Sequence, residues 1–193
     1  MTIGNPPGWR FLTVVAIAAF VSLWWSSVPF PYTEGLVFGL LVWVPLVLSW
    51  LIRLCVALAT GWRTLSVKRL LGWLPVPLVV LGVWGTVHLD GAFRMRFALS
   101  QASMERYATS ILDGGEHTDP GCRATGLYSV CGHYTAGTGG TSPAARLDVF
   151  DMFLIPSRCF AWAPGGRPSD EDHEYGLRHL TGPWWGCRDW DGW

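Results

Sequence analysis

Three long apolar runs occupy the first ninety residues, and a shorter, alternating pattern fills the rest. Residues 11–30 carry no charge, residues 35–58 carry only Arg53, and residues 70–88 carry none except the titratable His88. About 20 apolar residues at 1.5 Å per residue cross a hydrocarbon core of about 30 Å. Three such runs in succession predict membrane-spanning helices, since a lipid-embedded backbone must satisfy its own hydrogen bonds. The first run is too long for a signal-peptide core and has no small-x-small site after it, so it reads as a retained anchor. Pro45, Pro75 and Pro77 are expected to kink their helices. Gly35 and Gly39 form a GxxxG, a candidate helix-packing face.

After Asp90 the pattern changes. Phe93, Met95 and Phe97 alternate with Arg94 and Arg96, which predicts a half-buried strand. Ser100 follows as a candidate N-cap. Met104, Tyr107, Ala108, Ile111 and Leu112 then lie on one stripe of an amphipathic helix over 101–113, ended by Gly114 and Gly115. Strands are predicted at 125–130, 146–155 and 159–162. A further strand over 177–185 closes the set, with loops at 137–143 and 164–174. The expectation is a three-helix transmembrane region (1–89) followed by an α+β domain (90–193) with a mainly antiparallel sheet and one amphipathic helix.

Charge gives this arrangement a direction. Residues 1–89 hold five bases (Arg10, Arg53, Arg63, Lys68, Arg69) and one acid, Glu34, for a net +4. Residues 90–193 hold nine arginines and thirteen acids, for a net −4. The loop 59–69 carries Arg63, Lys68 and Arg69, whereas the loop 31–34 carries only Glu34. By the positive-inside rule the second loop is cytoplasmic. A cytoplasmic N-terminus and an extracytoplasmic C-terminal domain in the plasma membrane follow. Trp9, Trp62 and Trp73 then fall near one interface and Trp24, Trp25 and Trp84 near the other, and Arg53 is placed to snorkel. No dense basic patch exists to collect phosphates, so nucleic acid is not an expected partner.

Four of the five cysteines, Cys122, Cys131, Cys159 and Cys187, lie in the second half, which predicts two disulfides in an oxidising space. If 123–130 is one extended strand, Cys122 and Cys131 lie roughly 25–30 Å apart, and the pair 122–131 with its complement 159–187 is disfavoured. That leaves 122–159 with 131–187, or 122–187 with 131–159. A hairpin centred on 140–141 favours the first.

Chemistry is sparse. Cys131 and His133 are close, with His173 and His179 downstream, but no ligand pair has zinc spacing. Asp170, Asp172 and Glu174 alternate as in a calcium loop without its glycine and final glutamate. No nucleophile motif organises the Ser, His and Asp residues, and the carboxylate pairs Asp148/Asp151 and Asp189/Asp191 are uninformative without their separation in space. No catalysis, cofactor or metal is expected. The tail carries Trp184, Trp185, Trp190 and Trp193, a possible binding surface if exposed and packing or membrane contact if not.

The segments RFALS at 96–100, GLY at 126–128, CFAWAPGGRP at 159–168 and HLTGPWW at 179–185 resemble a group of small actinobacterial integral membrane proteins without assigned activity. The resemblance covers roughly residues 94–185. It implies a few N-terminal spans holding one external C-terminal domain, and it carries no catalytic residues. The functional expectation is an envelope protein whose external domain binds a partner or ligand through loops 114–122 and 164–176. The alternatives are an accessory subunit of a membrane complex acting through its spans and, more weakly, a membrane-anchored hydrolase. Expected partners are the lipid bilayer and another envelope or membrane protein.

Overall fold

The computed structural model of the chain describes residues 6–61, 70–114, 121–137, 142–150, 157–169 and 176–189. They form two compact units, Met1–Ser27 with Pro31–Ala92, and Val28–Phe30 with Phe93–Trp193. The first unit contains α1 (Trp9–Trp25), α2 (Thr33–Gly61) and α3 (Pro75–His88); α4 (Gly91–Gly114) begins in it and serves the second unit from Phe93 onward. The fold is α+β, with four helices and one six-stranded antiparallel sheet among the described residues.

In the first unit α1 packs against both α2 and α3. The Trp43 indole Nε1 donates to Ser22 Oγ at 2.9 Å, and the Trp25 ring fills the space where a Gly35 side chain would stand, 3.1 Å from the Cβ position. Large apolar side chains such as Phe20, Leu36, Leu41, Ile52, Leu78 and Trp84 point outward. Among the described residues, only Glu34–Thr60 within α2 is by itself long and apolar enough to cross a membrane, and the broken pair α3–α4 makes a second candidate if counted as one span. The structure therefore shows one or two candidate spans where three were expected. The first run is helical only to Trp25, and α1 has 17 residues. The third run shortens because Pro75 and Pro77 begin α3 instead of kinking it. At the first turn a proline's missing N–H costs nothing and its fixed φ suits the helix. Pro45 does lie inside α2. The loop residues 62–69 lie outside the described residues.

In the second unit α4 is a single helix from Gly91 onward, so the strand expected at 93–97 is helical. Its inward face is Phe93, Arg96, Phe97, Ser100, Met104, Tyr107, Ala108 and Ile111, all buried and spaced at the helical period. Arg96 is the residue that disguised the stripe. Its guanidinium Nε donates to Leu127 O at 3.1 Å, Nη2 donates to the same oxygen, and the group lies 4.0 Å over the Tyr128 ring. Ser100 is mid-helix, not an N-cap. Its Oγ accepts a hydrogen bond from the Leu127 N–H at 2.9 Å.

The strands are β1 (Cys122–Thr125), β2 (Tyr128–Thr135), β3 (Ala144–Val149), β4 (Arg158–Trp162), β5 (Gly176–Thr181) and β6 (Trp184–Arg188), ordered β1-β2-β3-β4-β6-β5. Two segments expected as single strands are hairpins. Gly126, with φ +65°, and Leu127 turn β1 back onto β2. Gly182, with φ +54°, and Pro183 turn β5 onto β6. Glycine first in a two-residue loop is the signature of a type II′ turn, whose twist suits a hairpin. Gly126 has a second constraint, because a Cβ there would lie 2.7 Å from Ser100 Cα. The strand expected over 146–155 begins two residues earlier, at Ala144, and ends at Val149; residues 151–155 lie outside the described residues.

One sheet face packs on α4. Tyr128, Val130, Leu147, Phe160 and Trp184 are fully buried there. Phe160 is the hub, with ring centroids of Phe97, Tyr128 and Trp184 at 5.5, 5.1 and 6.4 Å. Gly132 lies under Tyr107 and Ile111, where a Cβ would come 2.5 Å from Ile111 Cδ1. The segment Val28–Phe30 belongs to the same unit. Pro29 packs onto Gly186, and the buried Arg158 donates from Nε to Phe30 O at 2.7 Å and from Nη1 to Ser157 O at 2.9 Å.

Candidate functional site

The sheet face opposite α4 carries the chemistry. Side chains alternate along a strand, so this face receives Cys131 and His133 from β2, Arg146 and Asp148 from β3, Cys159 and Ala161 from β4, Trp185 and Cys187 from β6, and Leu177 and His179 from β5. The four cysteines do form two disulfides, but the pairs are Cys122–Cys131 and Cys159–Cys187. This overturns both pairings favoured from sequence. The distance argument assumed an extended 123–130. The turn at Gly126-Leu127 instead sets Cys122 directly across from Cys131, and the β4–β6 register sets Cys159 across from Cys187. Cys55, exposed on α2, is free.

Beside the disulfides runs an ion-pair ladder. Arg146 Nε donates to Asp148 Oδ1 at 2.7 Å, and its Nη2 pairs with Asp189 Oδ2. His133 Nε2 lies 3.2 Å from Asp148 Oδ2. Burial of the Arg146 guanidinium works against its charge, but Asp148 and Asp189 together outweigh that and raise its pKa above the ordinary arginine value. Arg146 thus stays charged and ties β3 to the segment after β6.

One ligand atom each from Asp148, Cys159 and Asp189 lies within 4.8 Å of the others. The set does not suit a metal, because the Cys159 sulfur is spent in a disulfide and Arg146 already bridges both carboxylates. His133 and Asp148 form a base-like pair, yet no hydroxyl or thiol among the described residues hydrogen-bonds to His133. Of the pairs Asp148/Asp151 and Asp189/Asp191, the second members lie outside the described residues, as do His173, Asp170, Asp172 and Glu174.

At the other end of this face a cleft of about 350 Å³ is lined by Ala163, Pro164, Gly166 and Arg167 on one side and His179, Gly182, Pro183 and Trp185 on the other. The loop after β4 is held in place by the Ala163 N–H donating to Pro183 O at 2.9 Å and the Gly166 N–H donating to Ala163 O at 3.2 Å. The His179 ring meets Trp185 edge-on with centroids 4.8 Å apart, and its Nε2 lies 2.8 Å from Gly182 O.

The tail tryptophans therefore part company. Trp184 is 1% exposed and packs in the core, edge-on to Phe97 and tilted against Trp162, so it is removed from the candidate binding surface. Trp185 is half-buried and lines the cleft. Trp190 and Trp193 lie outside the described residues. Of the loops expected to carry contacts, 115–120 and 170–175 lie outside them too, whereas 163–167 walls the cleft. Arg167 lies within the loop 164–176 expected to carry contacts, whereas His179 was missed as a cleft residue. The signal was the hairpin turn Gly182-Pro183, which folds His179 back beside Trp185.

Comparison with protein-family models, with curated proteins and with solved structures finds no match.

Proposed function

We propose that the chain is a multi-pass plasma-membrane protein whose external, disulfide-bearing domain binds a ligand or partner at the cell envelope without catalysing a reaction. The observation that carries this is the cleft around Trp185, where two segments distant in sequence are brought together and fixed by backbone hydrogen bonds. Few-residue clefts mixing an aromatic wall with placed polar groups are what ligand sites use. The segments 159–168 and 179–185 meet at this cleft.

Two observations support three spans and the outward orientation. Apolar side chains point outward all along α1, α2 and α3, as they do toward lipid. The connection between α1 and α2 is gripped at Val28–Phe30 by the sheet domain. The two disulfides of the sheet domain support an oxidising, extracytoplasmic space for it. An alkaline phosphatase reporter fused after Trp193 is expected to be active, and activity of a cytoplasmic reporter alone at that position overturns the orientation.

A second reading, an accessory subunit acting through its spans, is favoured by a groove of about 480 Å³ in the helical unit, lined by Trp25, Gly39, Leu40, Trp43, Val83 and Trp84 among others. Gly39 faces open space there, whereas Gly35 is already covered by Trp25. Cross-linked complexes that survive deletion of 90–193 favour this reading over the first.

A further inference from the structure

We propose that the Trp185 cleft binds a saccharide, one sugar ring stacking on the indole; this rests on the ligand-binding reading above. The cleft's composition distinguishes a sugar from other ligands. A sugar ring presents a flat patch of C–H groups on one face and hydroxyls around its edge. It is matched by an aromatic plane flanked by hydrogen-bonding groups.

Trp185 supplies the plane. It is half-buried against Cys159, Ala161 and Cys187, and the His179 ring, held at Gly182 O, packs nearly perpendicular to it with centroids 4.8 Å apart, so its position is set by packing. An indole fixed in this way loses little freedom on binding. Pro164 and Pro183 extend the apolar wall with rigid rings, and Gly166 and Gly182 leave the floor without side chains. A Cβ built on Gly182 meets nothing within 4 Å. At the rim stand the exposed Arg167, whose guanidinium offers several donors, and the exposed His179. Among the described residues no carboxylate lines the cleft.

The cleft is also shallow. At about 350 Å³ it sits near the lower end of small-molecule sites, room for one ring with neighbours running out along the surface. That shape suits an internal or terminal residue of a longer chain. Stacking on a braced indole and hydrogen bonding at the rim define a weak, carbohydrate-type site rather than a deep cofactor pocket.

The test uses the full-length protein in lipid nanodiscs, titrated by calorimetry with trisaccharides of N-acetylglucosamine, mannose and galactose. Saturable binding of at least one is expected, weakened about tenfold or more by Trp185→Ala, in line with the loss of one aromatic contact and its apolar area. Arg167→Met, on an exposed loop, is expected to weaken it several-fold. Peptide maps without reductant confirm that both variants keep their disulfides. Binding unaffected by both substitutions overturns the site. A photo-cross-linker at position 185 separates the remaining cases. No saccharide binding with a specific adduct at 185 overturns the saccharide and leaves the ligand reading standing. Neither binding nor adduct overturns both.

Discussion

The two faces of the six-stranded sheet solve the same problem by different means. Toward α4 the strands present Tyr128, Val130, Leu147, Phe160 and Trp184, and the helix answers with Phe93, Phe97, Met104, Tyr107 and Ile111. Stability there comes from burial and close packing, which are short-ranged and unforgiving of lost volume. On the opposite face the small buried cluster is Cys159, Ala161 and Cys187, partly covered by Leu177 and Trp185. That cluster holds one disulfide, and an ion-pair ladder runs beside it. A domain of this size with one helix covers one face well and the other thinly, and cross-links offset the difference. The thin face is also where an aromatic side chain remains half-exposed, so the less well packed side is the side free to carry a binding site.

The largest expected effect breaks the packed face. Phe160→Ala removes a ring with no exposure from a cluster of four other aromatics, and a loss of about 3–5 kcal/mol is expected. Chemical unfolding of the full chain in detergent measures it. A loss no larger than that of Trp185→Ala on the opposite face would remove the contrast between the faces.

The next effect tests the cross-links. Replacing Cys159 and Cys187 together by Ala is expected to cost about 2–4 kcal/mol. Replacing Cys122 and Cys131 is expected to cost roughly 1 kcal/mol less on the chain-entropy model. The sequence separations are 28 and 9, and the shorter loop restricts the unfolded chain less. Peptide mapping without reductant is expected to give 122–131 and 159–187, and any 122–159 peptide would contradict the hairpin at Gly126.

The third tests the ladder. Arg146→Leu leaves Asp148 and Asp189 facing each other without their shared cation, and about 1–3 kcal/mol is expected. Adding Asp148→Asn to that variant should recover part of the loss by removing one charge. If the double variant is no more stable than the single, the ladder contributes packing and not charge.

Much of this was readable from the amino acids, and the misreadings have a common cause. The apolar runs announced α1, α2 and α3, and the stripe from Met104 to Ile111 announced the end of α4. The beginning of α4 hid because Phe93, Met95 and Phe97 fit a strand's alternation by accident, while Arg96 broke the helical stripe. Only tertiary structure shows that Arg96 points inward to a turn carbonyl. The two hairpins hid because apolar residues continue straight through Gly126-Leu127 and Gly182-Pro183, so periodicity saw one strand where turn chemistry dictates two. The disulfide pairing failed with them, since it was computed along a strand that does not exist. Trp184 and Trp185 looked equivalent as neighbours, and the strand's alternation put one in each face. Periodicity located the elements, and long-range contacts decided which side each residue served.

The smallest effect concerns the joint between helix and first hairpin. Ser100 is fully buried and its hydroxyl accepts from the Leu127 N–H. Ser100→Ala removes that acceptor, but Leu127 is 51% exposed and water has a route to the amide. The cost is therefore expected near the lower end for a lost hydrogen bond, about 0.5–1 kcal/mol. Arg96 still grips Leu127 O, so the turn should stay docked while its amide opens more often. Amide exchange separates the two contacts. Exchange at Leu127 should quicken while that at Val130, inside the β2–β3 ladder, should not. Unchanged protection at Leu127 would mean that Arg96 alone holds the turn. Equal loss at Val130 would mean that the hairpin and the core open as one unit, so that the packed face depends on a single hydroxyl at its edge.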